Sequence, residues 1–202
     1  MKQCSPTEQR NKLKKALISA LNVANEELII LGPHYKEENL RYVVMTAISL
    51  ENCFGVFPNR NKSENFKLCF QTEYNGGYYK PDIVSLCVKK DGSPKKINRL
   101  VIELKTNASK TEIDSDLKKA HHYLKKVGDM KFLIAVVITV GIPVKNTENY
   151  IYDLNKLLQK HRTKVKARSW GQNLLFAWFN PLTHKPELFW LNQDDPIKLG
   201  VI

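Results

Sequence analysis

The sequence predicts an α/β (α+β) fold, a mixed central β-sheet flanked by helices, and three observations carry that expectation. Helical and strand periodicities alternate along the chain. One nine-residue run, Phe132 to Val140, is apolar at every position but Thr139, as a strand covered on both faces requires. No repeat, low-complexity tract or Pro/Gly-rich linker divides the 202 residues, a length that suffices for one compact domain.

Residues 7–22 read as a first helix, with Leu13, Leu17 and Leu21 spaced four apart. A turn at Gly32-Pro33 precedes a second helix, about 36–52, whose apolar stripe is Leu40, Val43, Val44, Ala47 and Ile48. A polar loop, Pro58 to Asn65, leads to three strand candidates at 67–73, 81–88 and 98–105. A helix at 112–127 follows, opened by Thr111-x-x-Asp114, which approximates a capping box. Its stripe is Ile113, Leu117, Ala120 and Leu124. The central strand, a helix near 147–162, and a hairpin of 174–179 with 187–191 around Asn180-Pro181 complete the chain.

Composition narrows the function classes. No apolar run reaches membrane-span length, and Met1-Lys2-Gln3-Cys4 lacks the apolar stretch of a secretory signal. A cytoplasmic location is expected. Cys4, Cys53, Cys69 and Cys87 form no Cys-x-x-Cys pair, so free thiols are expected in place of zinc ligands or disulfides. The net charge of +12 and the pI near 9.5 suit a partner rich in phosphate. Positive charge concentrates in Lys156, Lys160, Arg162, Lys164, Lys166 and Arg168, with Trp170 placed to stack on a base or sugar. A solvated helix end followed by a basic edge strand accounts for the same segment equally well.

The hairpin of 81–88 and 98–105 carries the chemistry. Its turn formers, Asp91-Gly92-Ser93-Pro94, predict antiparallel pairing in which opposed residue numbers sum to about 185. Asp82 then faces Glu103, and like charges directly opposed are unfavourable unless a cation neutralises them. On the second strand Leu100, Ile102 and Leu104 share one face, while Glu103 and Lys105 share the other, outer face. Phosphodiester hydrolysis needs an activated water and neutralisation of charge in its transition state. Mg²⁺ held by one or two carboxylates supplies both, and a neighbouring lysine orients the water or contacts the phosphate.

At Pro81-Asp82 and Glu103-Leu104-Lys105, twenty residues on, the sequence resembles the PD-(D/E)xK nuclease superfamily, the restriction endonuclease-like enzymes. The resemblance covers residues 36–140 as an order of elements. It implies Asp82 and Glu103 as metal ligands, the Leu104 carbonyl as a third, and Lys105 as the catalytic lysine. A single domain, 1–202, is expected, with an N-terminal helical segment (1–32), a catalytic core (33–140) and a C-terminal helix and hairpin (141–202).

Such enzymes often carry a further acid on the helix before the hairpin. Glu37 continues the stripe of Leu40 and Val44, whereas Glu38 turns with Tyr42 and Met45, so Glu37 is chosen. Related nucleases often have polar residues on the following helix that touch the site. Asp116, Lys119, His121, His122 and Tyr123 stand there, and nothing in the sequence fixes which one would do so. An ordinary solvated face is the preferred reading, while Glu73 reads as a strand-end acid or as one that reaches the metal region.

The expected function is a Mg²⁺-dependent DNA endonuclease, with Mn²⁺ able to substitute and RNA a second candidate polymer. A restriction or resolvase/repair type is expected, acting as a homodimer, and the resemblance implies cleavage that leaves a 5′-phosphate and a 3′-hydroxyl. The alternatives are an inactive nucleic-acid-binding protein of the same fold and a basic interaction protein with a coincidental motif.

Overall fold

The computed structural model describes residues 6–51, 80–85, 97–125, 131–141, 147–166, 173–192, 197 and 199. In chain order these form α1 (Pro6–Leu31), a 3-10 turn (Gly32–His34) and α2 (Glu37–Leu50). Then come β1 (Ile83–Ser85), β2 (Ile97–Thr106), α3 (Lys110–Lys125), β3 (Lys131–Val140), α4 (Thr147–Lys166), β4 (Asn173–Asn180) and β5 (Lys185–Trp190). The expected strand at 67–73, the loop at 58–65, Glu73, the Asp91–Pro94 turn and all four cysteines lie outside the described residues.

The strands make one mixed sheet in sequential order, β1-β2-β3-β4-β5. The central pairs β2·β3 and β3·β4 are parallel, and the outer pairs are antiparallel. Parallel neighbours need a crossover, which α3 and α4 provide. The pleat then sorts the side chains. Leu100, Ile102, Leu104, Ile134, Val136 and Ile138 pack beneath α1 and α2. Val101, Ala135, Val137, Leu174 and Phe176 pack beneath α3 and α4. Both faces are covered, which is why β3 is apolar throughout. Among the described residues no helix is long and apolar enough to cross a membrane.

Of the boundaries that differ from the sequence reading, three have a clear local reason. α1 runs to Leu31, beyond the expected residue 22, because Ala24 and Leu28 continue the buried stripe; Gly32 at φ 54, followed by Pro33, then ends it. α3 begins at Lys110 because its cap is Ser109, not Thr111. Ser109 Oγ and N–H both donate to Glu112 Oε2 (2.7 and 2.8 Å), and Glu112 N–H donates back to Ser109 Oγ at 3.3 Å. Asp114, the expected capping acid, instead pairs with Lys118 and with His161 on α4. β5 starts at Lys185 because Asn180 organises the turn. Its Oδ1 accepts from Leu182 N–H at 2.9 Å, and its amide donates to Glu187 Oε1 at 2.7 Å.

The two helices of the second face are locked by a buried polar chain. His121 Nε2 lies 3.0 Å from His161 Nδ1, and His161 Nε2 lies 2.8 Å from Asp114 Oδ1. At the other end of α4, Tyr150 donates to the Ala108 carbonyl in the link between β2 and α3. The C-terminal ends of β2 and β3 are joined by the Asn107 N–H, which donates to the Val140 carbonyl at 2.8 Å.

Next to that bond Gly141 adopts φ 77, and any Cβ there would overlap the Asn107 amide. Only glycine meets both demands at once. Gly141→Ala is therefore expected to destabilise the fold by about 1–3 kcal/mol, read as a lower urea midpoint with an unchanged m-value. An unaltered midpoint would show that the β2 and β3 ends are not held this tightly.

Candidate functional site

The site grows from the β1–β2 register. Ile83, Val84 and Ser85 face Ile102, Val101 and Leu100, each pair summing to 185 as the turn composition predicts. One step further, Asp82 falls opposite Glu103. Asp82 is no longer in the ladder; its side chain replaces the missing rung. Its Oδ2 accepts from the Leu104 N–H at 2.7 Å, and its Oδ1 from Arg41 Nη2 at 3.3 Å. A strand residue presents its N–H and C=O to the same edge, so the Leu104 carbonyl faces the Asp82 side as well.

Lys105 reaches the first turn of α2, where its ammonium meets Glu37 Oε1 at 2.9 Å. Glu38 is exposed. The helix phase taken from Leu40 and Val44 thus distinguishes the two neighbours, and Glu37 is the one that joins the cluster. Burial pulls the Lys105 ammonium down, but the hydrogen bond and charge of Glu37, with the charges of Asp116 and Asp82, outweigh it and raise the pKa above its ordinary value. Lys105 is a permanent cation at neutral pH.

Glu103 is where the structure departs most from expectation. The outer face of β2 is not exposed, because α3 covers it and leaves Glu103 only 2% exposed. Tyr123 donates to Glu103 Oε1 at 2.6 Å, and the Lys119 ammonium lies 3.4 Å from Oε2. Lys119 also pairs with Asp116 Oδ1 at 2.7 Å. Asp116 is 1% exposed, and its Oδ2 has no hydrogen-bond partner among the described residues. The expected solvated face of α3 is therefore overturned at Asp116, His121 and Tyr123, which are buried; Lys119 is half-buried and His122 is exposed.

Sequence reasoning missed Arg41 as a member of the cluster, and for Asp116, Lys119 and Tyr123 it preferred a solvated face over contact with the site. A signal existed for each. Arg41 sits four residues after Glu37 on α2. Asp116, Lys119 and Tyr123 recur at three and four residues, a second stripe beside the apolar one on α3.

Among the described residues four carboxylates, Glu37, Asp82, Glu103 and Asp116, meet three cations, Arg41, Lys105 and Lys119, leaving one negative charge in excess when all are ionised. That excess arises inside a chain of net charge +12. The Glu103 carboxyl is raised to about 7, chiefly by burial. Tyr123 and Lys119 draw it back, and the charges of Asp82 and Asp116 push it further up. Asp116 is raised too, chiefly by burial, against the pull of Lys119 and Lys105. The donors are all hard oxygens. Among the described residues no three His, Cys, Asp or Glu side chains converge on one point. A cation here would be held by one or two carboxylates, the Leu104 carbonyl, and oxygens from water or substrate, the mode that Mg²⁺ favours.

The basic segment is divided by its helix. Lys156, Lys160 and Lys164 recur every four residues along an exposed face of α4, with Lys156 4.2 Å from the centre of the exposed Tyr152 ring. Arg162 points the other way and is buried at 8% exposure, so it leaves the group of phosphate-contacting candidates. Arg168, Trp170 and the side chain of Lys166 lie outside the described residues.

No protein-family model, no characterised protein and no solved structure matches this chain.

The raised Glu103 pKa has a signed consequence for stability. Above the unfolded value near 4.5 the unfolded chain loses the proton while the folded chain keeps it up to about 7. Folding is then opposed increasingly between those limits, and the penalty is complete above them. Glu103→Gln removes it while keeping an acceptor for Tyr123. The variant should exceed wild type by about 3 kcal/mol at pH 8 and by almost nothing at pH 4. Parallel stability curves for the two proteins across that range would show that Glu103 carries no such penalty.

Proposed function

We propose that this chain is a Mg²⁺-dependent phosphodiester hydrolase cutting DNA endonucleolytically. The observation that carries the reading is the pair Asp82 and Glu103, opposed across β1 and β2, with Lys105 two residues along β2 and clamped by Glu37. The resemblance to the PD-(D/E)xK superfamily, at the same residues, points to the same chemistry.

Asp82 and Glu103, with the Leu104 carbonyl, would hold the cation. When bound, Mg²⁺ lowers the pKa of water and neutralises charge developing on the phosphate. Lys105 is kept protonated, so it is suited to orienting the attacking water and stabilising the charged transition state, and poorly suited to accepting a proton. Glu37 fixes the lysine rotamer and is a positioning residue. Arg41 does the same for Asp82. Tyr123 holds Glu103 at a distance that leaves its second oxygen to Lys119 or to a cation. Two copies related by a two-fold axis would match the two strands of a duplex.

One observation favours the inactive, nucleic-acid-binding reading. Every site carboxylate already has a cation of the protein beside it: Arg41 at Asp82, Lys105 at Glu37, and Lys119 at Glu103 and Asp116. A metal-free structural network would look the same.

Incubation with plasmid and oligonucleotide substrates in Mg²⁺, Mn²⁺ or EDTA separates the two. Cleavage is expected with either metal and none with EDTA. Asp82→Ala and Glu103→Ala should each lower it by at least about 100-fold in a folded protein. Lys105→Ala should bind Mn²⁺ and DNA but lose turnover by about 10²–10³-fold. Near wild-type cleavage by Glu103→Ala would remove the metal site from this position.

The exposed row on α4 generates a second test. α4 departs from the C-terminal end of β3, so Lys156, Lys160 and Lys164 run progressively away from the strand ends. Replacing all three with Gln should weaken DNA binding regardless of sequence, measured in Ca²⁺ to suppress cleavage. Each lost phosphate contact should flatten the slope of log affinity against log salt by about one unit. Unchanged slopes would make the row an ordinary solvated face.

A further inference from the structure

Lys119 and Asp116 do more than border the pair of acids across the hairpin. The Lys119 ammonium is wedged between two carboxylates on different elements, 2.7 Å from Asp116 Oδ1 and 3.4 Å from Glu103 Oε2. Among the described residues it is the cation paired with Glu103, and it stands between Glu103 and Asp116. Asp116 is almost completely buried, yet only one of its oxygens is used; Oδ2 has no hydrogen-bond partner among the described residues. A buried carboxylate oxygen without a partner is expensive and uncommon. Its charge is felt at Glu103, Lys105 and Tyr123, so it shares the interior of the cluster. Lys119 is partly exposed, on the surface of α3. A flexible four-carbon stem that is already part-way to solvent can withdraw at little steric cost.

Among the described residues Asp116 does not converge with Asp82 and Glu103 while Lys119 stands between them. We infer that the Lys119 ammonium is an internal counter-ion which a divalent cation displaces, and that Asp116 becomes a further carboxylate of the site only then. This rests on the cation-binding half of the function proposed above. In the cation-free protein Lys119 neutralises Glu103 and Asp116 and keeps the hairpin and α3 together. On metal binding the ammonium leaves, Asp116 Oδ2 gains a partner, and the lysine is freed towards the surface, where a phosphate group of the substrate can receive it.

The test is Mn²⁺ binding, by calorimetry and by electron paramagnetic resonance of free Mn²⁺, on wild type, Lys119→Met and Asp116→Asn. Lys119→Met removes the competitor and should tighten Mn²⁺ binding on the order of tenfold, well within what a like charge at this range exerts near a protein surface. Asp116→Asn should weaken it by a similar factor. Because Lys119→Met also exposes the protein to uncompensated repulsion, its melting temperature is followed alongside. It should be lower than wild type without metal, and saturating Mn²⁺ should raise it by more than it raises wild type. If Lys119→Met binds Mn²⁺ no tighter than wild type, and its melting point gains no more from the metal, the displacement is wrong. If Asp116→Asn binds as well as wild type, Asp116 is not a ligand. Should wild type itself bind no Mn²⁺, the metal-dependent reading fails first and takes this inference with it.

Discussion

Burial of the Glu103 carboxylate is the constraint around which the rest of the cluster is arranged. A charge at a central strand position, under a packed helix, is held only if neighbouring groups repay its lost hydration. Tyr123 and Lys119, both from α3, supply the hydrogen bond and the charge. Both depend on the helix phase that also buries Ile113 and Leu117. The apolar core of the second face and the polar site are therefore one piece of construction. A shift of α3 by one residue would expose the first and orphan the second.

The opposite edge of β2 is built by the same logic with different partners. β1 begins at Ile83, and the Asp82 side chain takes over from its backbone as acceptor for the Leu104 N–H. That substitution pins a carboxylate at the end of the hairpin, and Arg41 from α2 secures it. α2 therefore contributes twice, through Arg41 to Asp82 and through Glu37 to Lys105. Helices from both layers of the fold converge on one end of one strand. The site exists only while the three layers are assembled.

Such a site is stable without being electrically content. One excess negative charge among the described residues when all are ionised, a carboxyl raised to about 7 and a buried oxygen without a partner each cost stability. Stability is commonly given up where chemistry needs charge held in place.

The sequence by itself determined the alternation of elements, the register of β1 with β2, and the side of α2 that carries Glu37. Each follows from short-range rules: a strand repeats every two residues, a helix every 3.6, and a hairpin's turn sets the pairing of its arms. It also determined that Glu103 and Lys105 share a face. Which face that was, and what lay upon it, only the tertiary structure decided. Asp116, Lys119 and Tyr123 are polar residues on an amphipathic helix, and composition assigns such residues to water. Their burial follows from α3 crossing directly over Glu103, a contact between positions sixteen and twenty apart that no local pattern encodes. Arg162 reversed for the same reason, since a run of basic residues on a helix is split by its own periodicity into exposed and buried members once a second helix packs alongside.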